Sequence, residues 1–219
     1  MEKNTSMIYI IKHKDYANPI PRGYRQLYVG DRFWETNKEN INELNQYINE
    51  ATGLYFIWKN IKDDVIGLCH YRRFFINNGN YLKLQDAKEI LKNNDIIITN
   101  NVQFERGIYE QLRLEMPNDE ERLILDKYYN ELCDKIPGLK EYFDTKEFAP
   151  KEMFVCKQRV MNKYCKWLFN IIIPITNDFI ANHKDIIQKR MIGHLIERLF
   201  YFWIIDNNLK AYRMEYKDI

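Results

Sequence analysis

The chain has 219 residues, 46% hydrophobic and 15% aromatic, which is ample material for a core and too apolar for a disordered segment. Its 33 basic and 31 acidic residues leave a formal charge of +2, which argues against a general nucleic-acid binder, whose affinity comes mainly from neutralising phosphates. Any basic function must be local, and four cysteines without a CxxC pair (Cys69, Cys133, Cys156, Cys165) point to reduced cytosolic thiols rather than a disulfide framework or a zinc site.

In chain order, the opening "MEKNTSMIYIIKHKDY" has an apolar run too short for a signal peptide. Residues 7–13, "MIYIIKH", predict a short buried strand that ends in His13 and Lys14. "DYANPIPRGYRQLYVG" is rich in Pro and Gly and predicts an irregular loop with a short strand at 26–29. The clearest helix is "NINELNQYINEATGLYFIWKN", with Asn40 and Glu43 in capping-box spacing and Ile41, Leu44, Ile48, Ala51, Tyr55 and Trp58 on one face. "DDVIGLCHYRRFF" (63–75) starts as a buried strand and then turns to His70, Tyr71, Arg72 and Arg73. A helix at 84–93, a strand at 95–100, two or three charged helices within 106–146 and a strand at 151–157 follow. Two long helices come next, near 158–180 with a break at Pro174 and near 185–206, and then a final edge strand in "LKAYRMEY". The longest apolar region, 167–180, falls short of the roughly 20 residues that span a bilayer. No repeat or linker divides the chain, so residues 1–219 read as one α/β domain with a mainly parallel central sheet flanked by helices.

In such sheets ligands bind beyond the carboxyl ends of the strands. His13–Lys14, His70–Arg73 and Thr99–Asn101 all fall there, so one rim collects cationic side chains suited to an anion. A polar stripe on the last long helix, Arg190, His194, Glu197, Arg198 and Tyr201, either faces solvent or lines a cleft, where Glu197 would be a candidate base. Glu50 shares a face with apolar residues and needs a partner: a sugar hydroxyl, or Arg72 or Lys59 in a structural pair. Asp63 and Asp64 precede their strand and belong to the opposite rim, and neither an Asp-x-Asp at a strand end nor an HExxH spacing marks a metal site. Cys69 beside His70 makes a weak nucleophile pair, because neighbours on a strand point to opposite faces. "KYCKWLFNIIIPI" is either a basic, aromatic surface for an anionic membrane or a core helix with a lysine fringe.

Taken in order, "YIIKHKDY", "NINELN", "NEATGLYFIWKN", "VIGLCHYRRFF", "NDIIITN", "MFVCKQRVMNKYCKWLF" and "GHLIERLF" resemble the bacterial capsule and exopolysaccharide glycosyltransferases long filed as a domain of unknown function, which include members associated with galactofuranosyl transfer. The resemblance runs from about residue 8 to the end; its family block reads closer to "ELTALYWIWKN", from which this chain departs at Ala51 and Gly53. It implies a GT-A-like nucleotide-diphospho-sugar transferase fold and transfer from a UDP-sugar to a growing glycan on a lipid-linked oligosaccharide, with peripheral contact at the inner face of the plasma membrane. It also implies that "HYRR" stands where many GT-A enzymes carry Asp-x-Asp, so that Arg72 or Arg73 neutralises the leaving diphosphate in place of a manganese or magnesium ion. By the same likeness His13 and Lys14 border the nucleotide, and Glu50 and Thr52 face the donor sugar. Lys59, His70 and Tyr71 complete the donor set, and the helix of Arg190, His194 and Arg198 closes the acceptor side, with Glu197 as the base.

Overall fold

Along β1 (Ser6–Lys12), Ile8 and Ile10 enter one buried cluster while Tyr9 and Ile11 enter another. A strand that buries both faces must lie inside a sheet covered on both sides. The computed structural model, which describes residues 6–15 and 20–219, has that arrangement. The other strands are β2 (Tyr24–Tyr28), β3 (Val65–His70), β4 (Arg73–Asn77), β5 (Asn80–Tyr81), β6 (Ile96–Thr99), β7 (Val102–Gln103), β8 (Glu147–Phe148), β9 (Phe154–Lys157), β10 (Ala211–Met214) and β11 (Tyr216–Asp218). The helices are α1 (Asn45–Ile48), α2 (Ala51–Asn60), α3 (Leu84–Ile90), α4 (Ile108–Leu114), α5 (Asp119–Lys135), α6 (Leu139–Asp144), α7 (Gln158–Asn182) and α8 (Met191–Asp206).

The central sheet has six strands in the order β10-β6-β9-β3-β1-β2. β1 is parallel to β2 and β3, and β6 to β10, while β9 runs antiparallel between β3 and β6. The sheet is therefore mainly parallel, as the alternation of elements predicts. The carboxyl ends of β1, β3 and β6 meet at one rim, where the amino end of β9 also lies. Gly67 in β3 and Gly53 in α2 permit tight contact there: an added Cβ would stand 2.8 Å from Ile8 Cγ1 and 2.6 Å from Ile11 Cδ1, respectively.

Several local expectations change in the folded chain. The helix predicted over 40–60 is interrupted: Asn40 Oδ1 accepts from the Asn42 amide in a local turn, and the chain breaks at Asn49, whose φ is +53°. The segment after His70 stays in the structure as a hairpin-like return; Arg73 opens β4, and Phe74 and Phe75 bury in the second cluster. The long helix does not break at Pro174, which lies on the exposed face of α7 together with Asn170, so the carbonyl freed by the missing N–H meets water. In "KYCKWLF", Tyr164, Cys165, Leu168 and Phe169 are core residues, and Lys163 and Lys166 form the fringe. The last long helix begins at Met191 rather than 185. The irregular loop expected from residue 15 lies partly outside the described residues, at 16–19.

Candidate functional site

Two cavities adjoin at the carboxyl rim. The larger, about 760 Å³, lies over the end of β1 and is lined by Ile11, His13, Asp31, Asn42, Lys189 and Arg190 among others. The smaller, about 290 Å³, lies between β3, the turn before β9, α4 and α8. Asn49, Glu50 and Arg190 line both and mark their junction. Backbone conformation fixes this junction. Asn49 has φ +53° and ψ −129°, a region that Asn tolerates better than most residues, and its side chain accepts from Arg190 Nε. Gly193 leaves the space for it, since an added Cβ would stand 2.1 Å from Asn49 Nδ2.

The smaller cavity concentrates buried charge. His70 is 3% exposed; its Nδ1 lies 3.1 Å from Arg73 Nη1 and 3.5 Å from Glu50 Oε1. Burial opposes ionisation of Glu50, but the neighbouring His70, Arg190 and His13 outweigh it and hold the carboxyl below its ordinary value. Arg198, 4% exposed in its side chain, donates to the His194 carbonyl at 2.9 Å and to Gln111 Oε1 at 2.8 Å. It also pairs with Glu115 at 3.3 Å and Glu197 at 3.6 Å. Burial works to raise Glu115, yet its 3.0 Å bond to His194, the Arg198 charge and Gln111 hold it at about 2. Burial also lowers His13, opposed by Glu50 and reinforced by Lys14, Arg190 and Arg72.

The stripe on α8 therefore lines a cleft rather than facing solvent. Glu197, His194, Arg198, Arg190, Glu50, His70 and Arg73 all come together on the smaller cavity, and His13 and Arg190 on the larger. Tyr71 stands at the edge, packed edge-on against His13 at 4.9 Å, with Lys14 Nζ and Arg72 Cζ 5.4 and 5.8 Å from its ring. Five predicted site residues line neither cavity: Lys14 and Tyr71, beside His13, and Arg72, Thr52 and Lys59. The Arg72 side chain is 46% exposed and its Nε lies 3.9 Å from Asp218 Oδ1, the oxygen that the more buried Arg73 bonds at 2.9 Å. Thr52 points into the packed start of α2, 2% exposed, and lines neither cavity. Lys59, near the far end of α2, pairs with Glu39 at 2.9 Å and lies 4.4 Å from the Trp58 ring. Glu50 thus takes His70 as its partner, and neither Arg72 nor Lys59. Burial pushes the Cys69 thiol to about 12, which removes it as a nucleophile.

Glu115, Gln111, Glu152 and Asn49 are the residues that sequence reasoning missed. Glu115 and Gln111 sit in a charged helix whose inward face no local pattern marks. Glu152 precedes the apolar run of β9, and reading that strand as parallel puts it at the wrong rim. Asn49 lies within an unbroken helical period, and its residue type, tolerant of positive φ, is the one local signal. Among the described residues no group of three His, Cys, Asp or Glu side chains forms a metal-ligand set. No helix among them is long and apolar enough to cross a membrane.

Comparison with known proteins follows this geometry. The fold matches the structure of the WbbM bifunctional glycosyltransferase in its apo form with a TM-score of 0.72 and 22% identity, over 99% of this chain and 45% of that one. The chain thus spans less than half the length of that protein, and the likeness establishes a GT-A-like glycosyltransferase fold. No curated protein matches the sequence. Residues 7–208 match the family described as a domain of unknown function, DUF4422, and the chain belongs to that family.

Proposed function

We propose that the protein is a hexosyltransferase that moves a sugar from a UDP-sugar, UDP-galactofuranose or another UDP-hexose, to a hydroxyl of a growing capsule, exopolysaccharide or O-antigen glycan. The observation that carries the reading is the adjoining pair of cavities at the carboxyl rim of a glycosyltransferase fold, one of nucleotide size and the other of sugar size with convergent carboxyls and arginines. The acceptor in this reading is a lipid-linked oligosaccharide presented at the inner face of the plasma membrane.

The nucleotide occupies the larger cavity, with its diphosphate toward Arg190 and His13. Guanidinium donors there stabilise the charge that develops as the bond between sugar C1 and the diphosphate oxygen breaks. Its electron pair leaves on the phosphate oxygen, while the acceptor oxygen forms the new bond to C1 and its proton passes to Glu197. Among the carboxyls of the smaller cavity, Glu115 is held too acidic for that role, Glu50 is engaged with His70, and burial pushes Glu152 to about 8, so that it already holds a proton at neutral pH. Glu197 is partly exposed to the cavity at 25% of its side chain. Arg73 contributes through His70, whose ring it fixes. No step is routed through a metal ion.

Calorimetric titration of UDP in EDTA and then in manganese, followed by assay of UDP-hexose turnover, tests the reading. UDP binding that ADP and GDP do not rival, together with turnover, is expected. UDP retained without transfer to any glycan or to water would favour a non-catalytic nucleotide- or glycan-binding module. Binding only in manganese would return the metal to the mechanism.

A further inference from the structure

The smaller cavity contains polar atoms that the protein leaves unpaired. His70 Nε2 and Arg198 Nε are buried without hydrogen-bond partners, and both residues line this cavity at 3% exposure. Unpaired buried polar atoms cost about 1–3 kcal/mol each, so their place beside a cavity points to a ligand that satisfies them. Glu152 lies with them, 4% exposed, its Oε1 accepting from the Tyr164 hydroxyl at 2.7 Å.

The backbone adds a second, independent observation. Lys151 and Glu152 have φ of +82° and +45°, consecutive non-glycine residues in the left-handed region. Such residues cost on the order of 1–3 kcal/mol each and persist where the surroundings over-determine them, often at ligand clamps. Here Thr99 Oγ1 donates to the Pro150 carbonyl at 2.8 Å and ties the turn to the end of β6. The strained turn is what puts the Glu152 carboxyl at the cavity.

The rest of the wall describes the ligand. Phe104 and Phe148, stacked at 5.3 Å and 17°, supply an apolar face. Arg198 is matched by Glu115 and Glu197, and Arg73 by Asp218, while Arg190 bonds the Asn49 amide. An apolar face, two buried unpaired nitrogens and a carboxyl suit a ring bearing hydroxyls.

We propose that Glu152 is a specificity-determining residue whose carboxyl hydrogen-bonds a hydroxyl of a sugar ring seated in the smaller cavity. The attachment of that sugar to UDP rests on the transferase reading above; the subsite itself does not. Burial pushes the Glu152 carboxyl to about 8, the Tyr164 bond from α7 opposing and the charges of Glu50 and Glu197 adding to the rise. His70 from β3, Arg73 from β4, Glu115 from α4 and Arg190, His194 and Arg198 from α8 face the same cavity. At neutral pH the carboxyl is therefore protonated and donates as an amide would, which makes Gln its functional mimic.

The test titrates UDP, a panel of UDP-galactose, UDP-galactofuranose, UDP-glucose and UDP-N-acetylglucosamine, and the methyl hexosides into the wild type, Glu152→Ala and Glu152→Gln. In Glu152→Ala the sugar-dependent part of the affinity falls about tenfold, the worth of one such bond, while UDP binds within about twofold of wild type and reports an intact fold. Glu152→Gln, which keeps a donor and an acceptor at that place, restores that affinity. The pattern in UDP-sugars assigns the ring to the donor, and the pattern in methyl hexosides assigns it to the acceptor; either supports the proposal. Unchanged sugar affinity in Glu152→Ala, or equal loss of UDP and UDP-sugar, overturns it, as does failure of every UDP-sugar and hexoside to bind the wild type. Hexoside binding with this pattern but no UDP binding defeats the donor reading and leaves the subsite standing.

Discussion

Both rims of the central sheet collect charged residues, and only one of them has the properties of a reaction site. At the amino rim, Asp63, Asp64, Lys88, Lys92, Lys157 and Arg159 line a groove of about 510 Å³, larger than the smaller cavity at the carboxyl rim. Its charges are mostly solvated: Lys92 pairs with Glu89 at 2.7 Å in the open, and Arg159 lies 3.7 Å from Asp95. The buried member, Asp63, is satisfied by the Tyr9 hydroxyl at 3.1 Å. At the carboxyl rim the charges are inside: His70, Glu152 and Arg198 are all under 5% exposed, and one carboxyl is driven to about 8 while another is held at about 2. The difference lies in burial rather than in the number of charges. Removal from water strengthens each interaction and makes each unpaired atom costly, so the same residue types acquire shifted protonation and directional demand.

Glu197→Gln sharpens the comparison most: transfer should fall about 10²–10⁴-fold with UDP affinity retained, read by steady-state turnover beside calorimetry. Near-normal turnover would remove Glu197 as the base. Arg198→Ala should cost about 3–5 kcal/mol in chemical denaturation, because Glu115 and Glu197 lose their buried partner. The same experiment carries a pH signature. A carboxyl held below its unfolded value stabilises the fold above about pH 4.5 and loses that contribution as pH falls toward 2. The stability gap between wild type and Glu115→Gln should therefore narrow from pH 6 to pH 2.5; a constant gap would show that Glu115 contributes packing alone. Arg73→Ala should weaken UDP-sugar binding about tenfold and Arg72→Ala by about twofold or less, and equal effects would erase the distinction between the inward and outward arginine. At the amino rim, Lys88→Ala and Lys92→Ala should change stability by less than about 0.5 kcal/mol and leave UDP affinity as it was. A large loss there would break the comparison.

The sequence by itself determined the elements and the rim. Apolar runs in "MIYIIKH" and "VIGLCH", the 3.6-residue period of the last helix and the placement of His13, His70 and Thr99 at strand ends are local patterns, and they survive folding because each is set by its own side chains. The direction of β9 was not legible there. An apolar run is the same read in either direction, so only pairing with β3 and β6 turned the strand over and brought Glu152 to the site. The interruption at Asn49 likewise depends on Gly193, distant in sequence, and the meeting of Arg72 and Arg73 with Asp218 depends on the pairing of β4 with β11. The tertiary structure also decided which charges lie in water and which are buried together, because the environment of a charged side chain is supplied by residues far along the chain. That is why the fold class and the cationic rim can be read from the chain, while the partners of Glu50, Glu115 and Glu152 cannot.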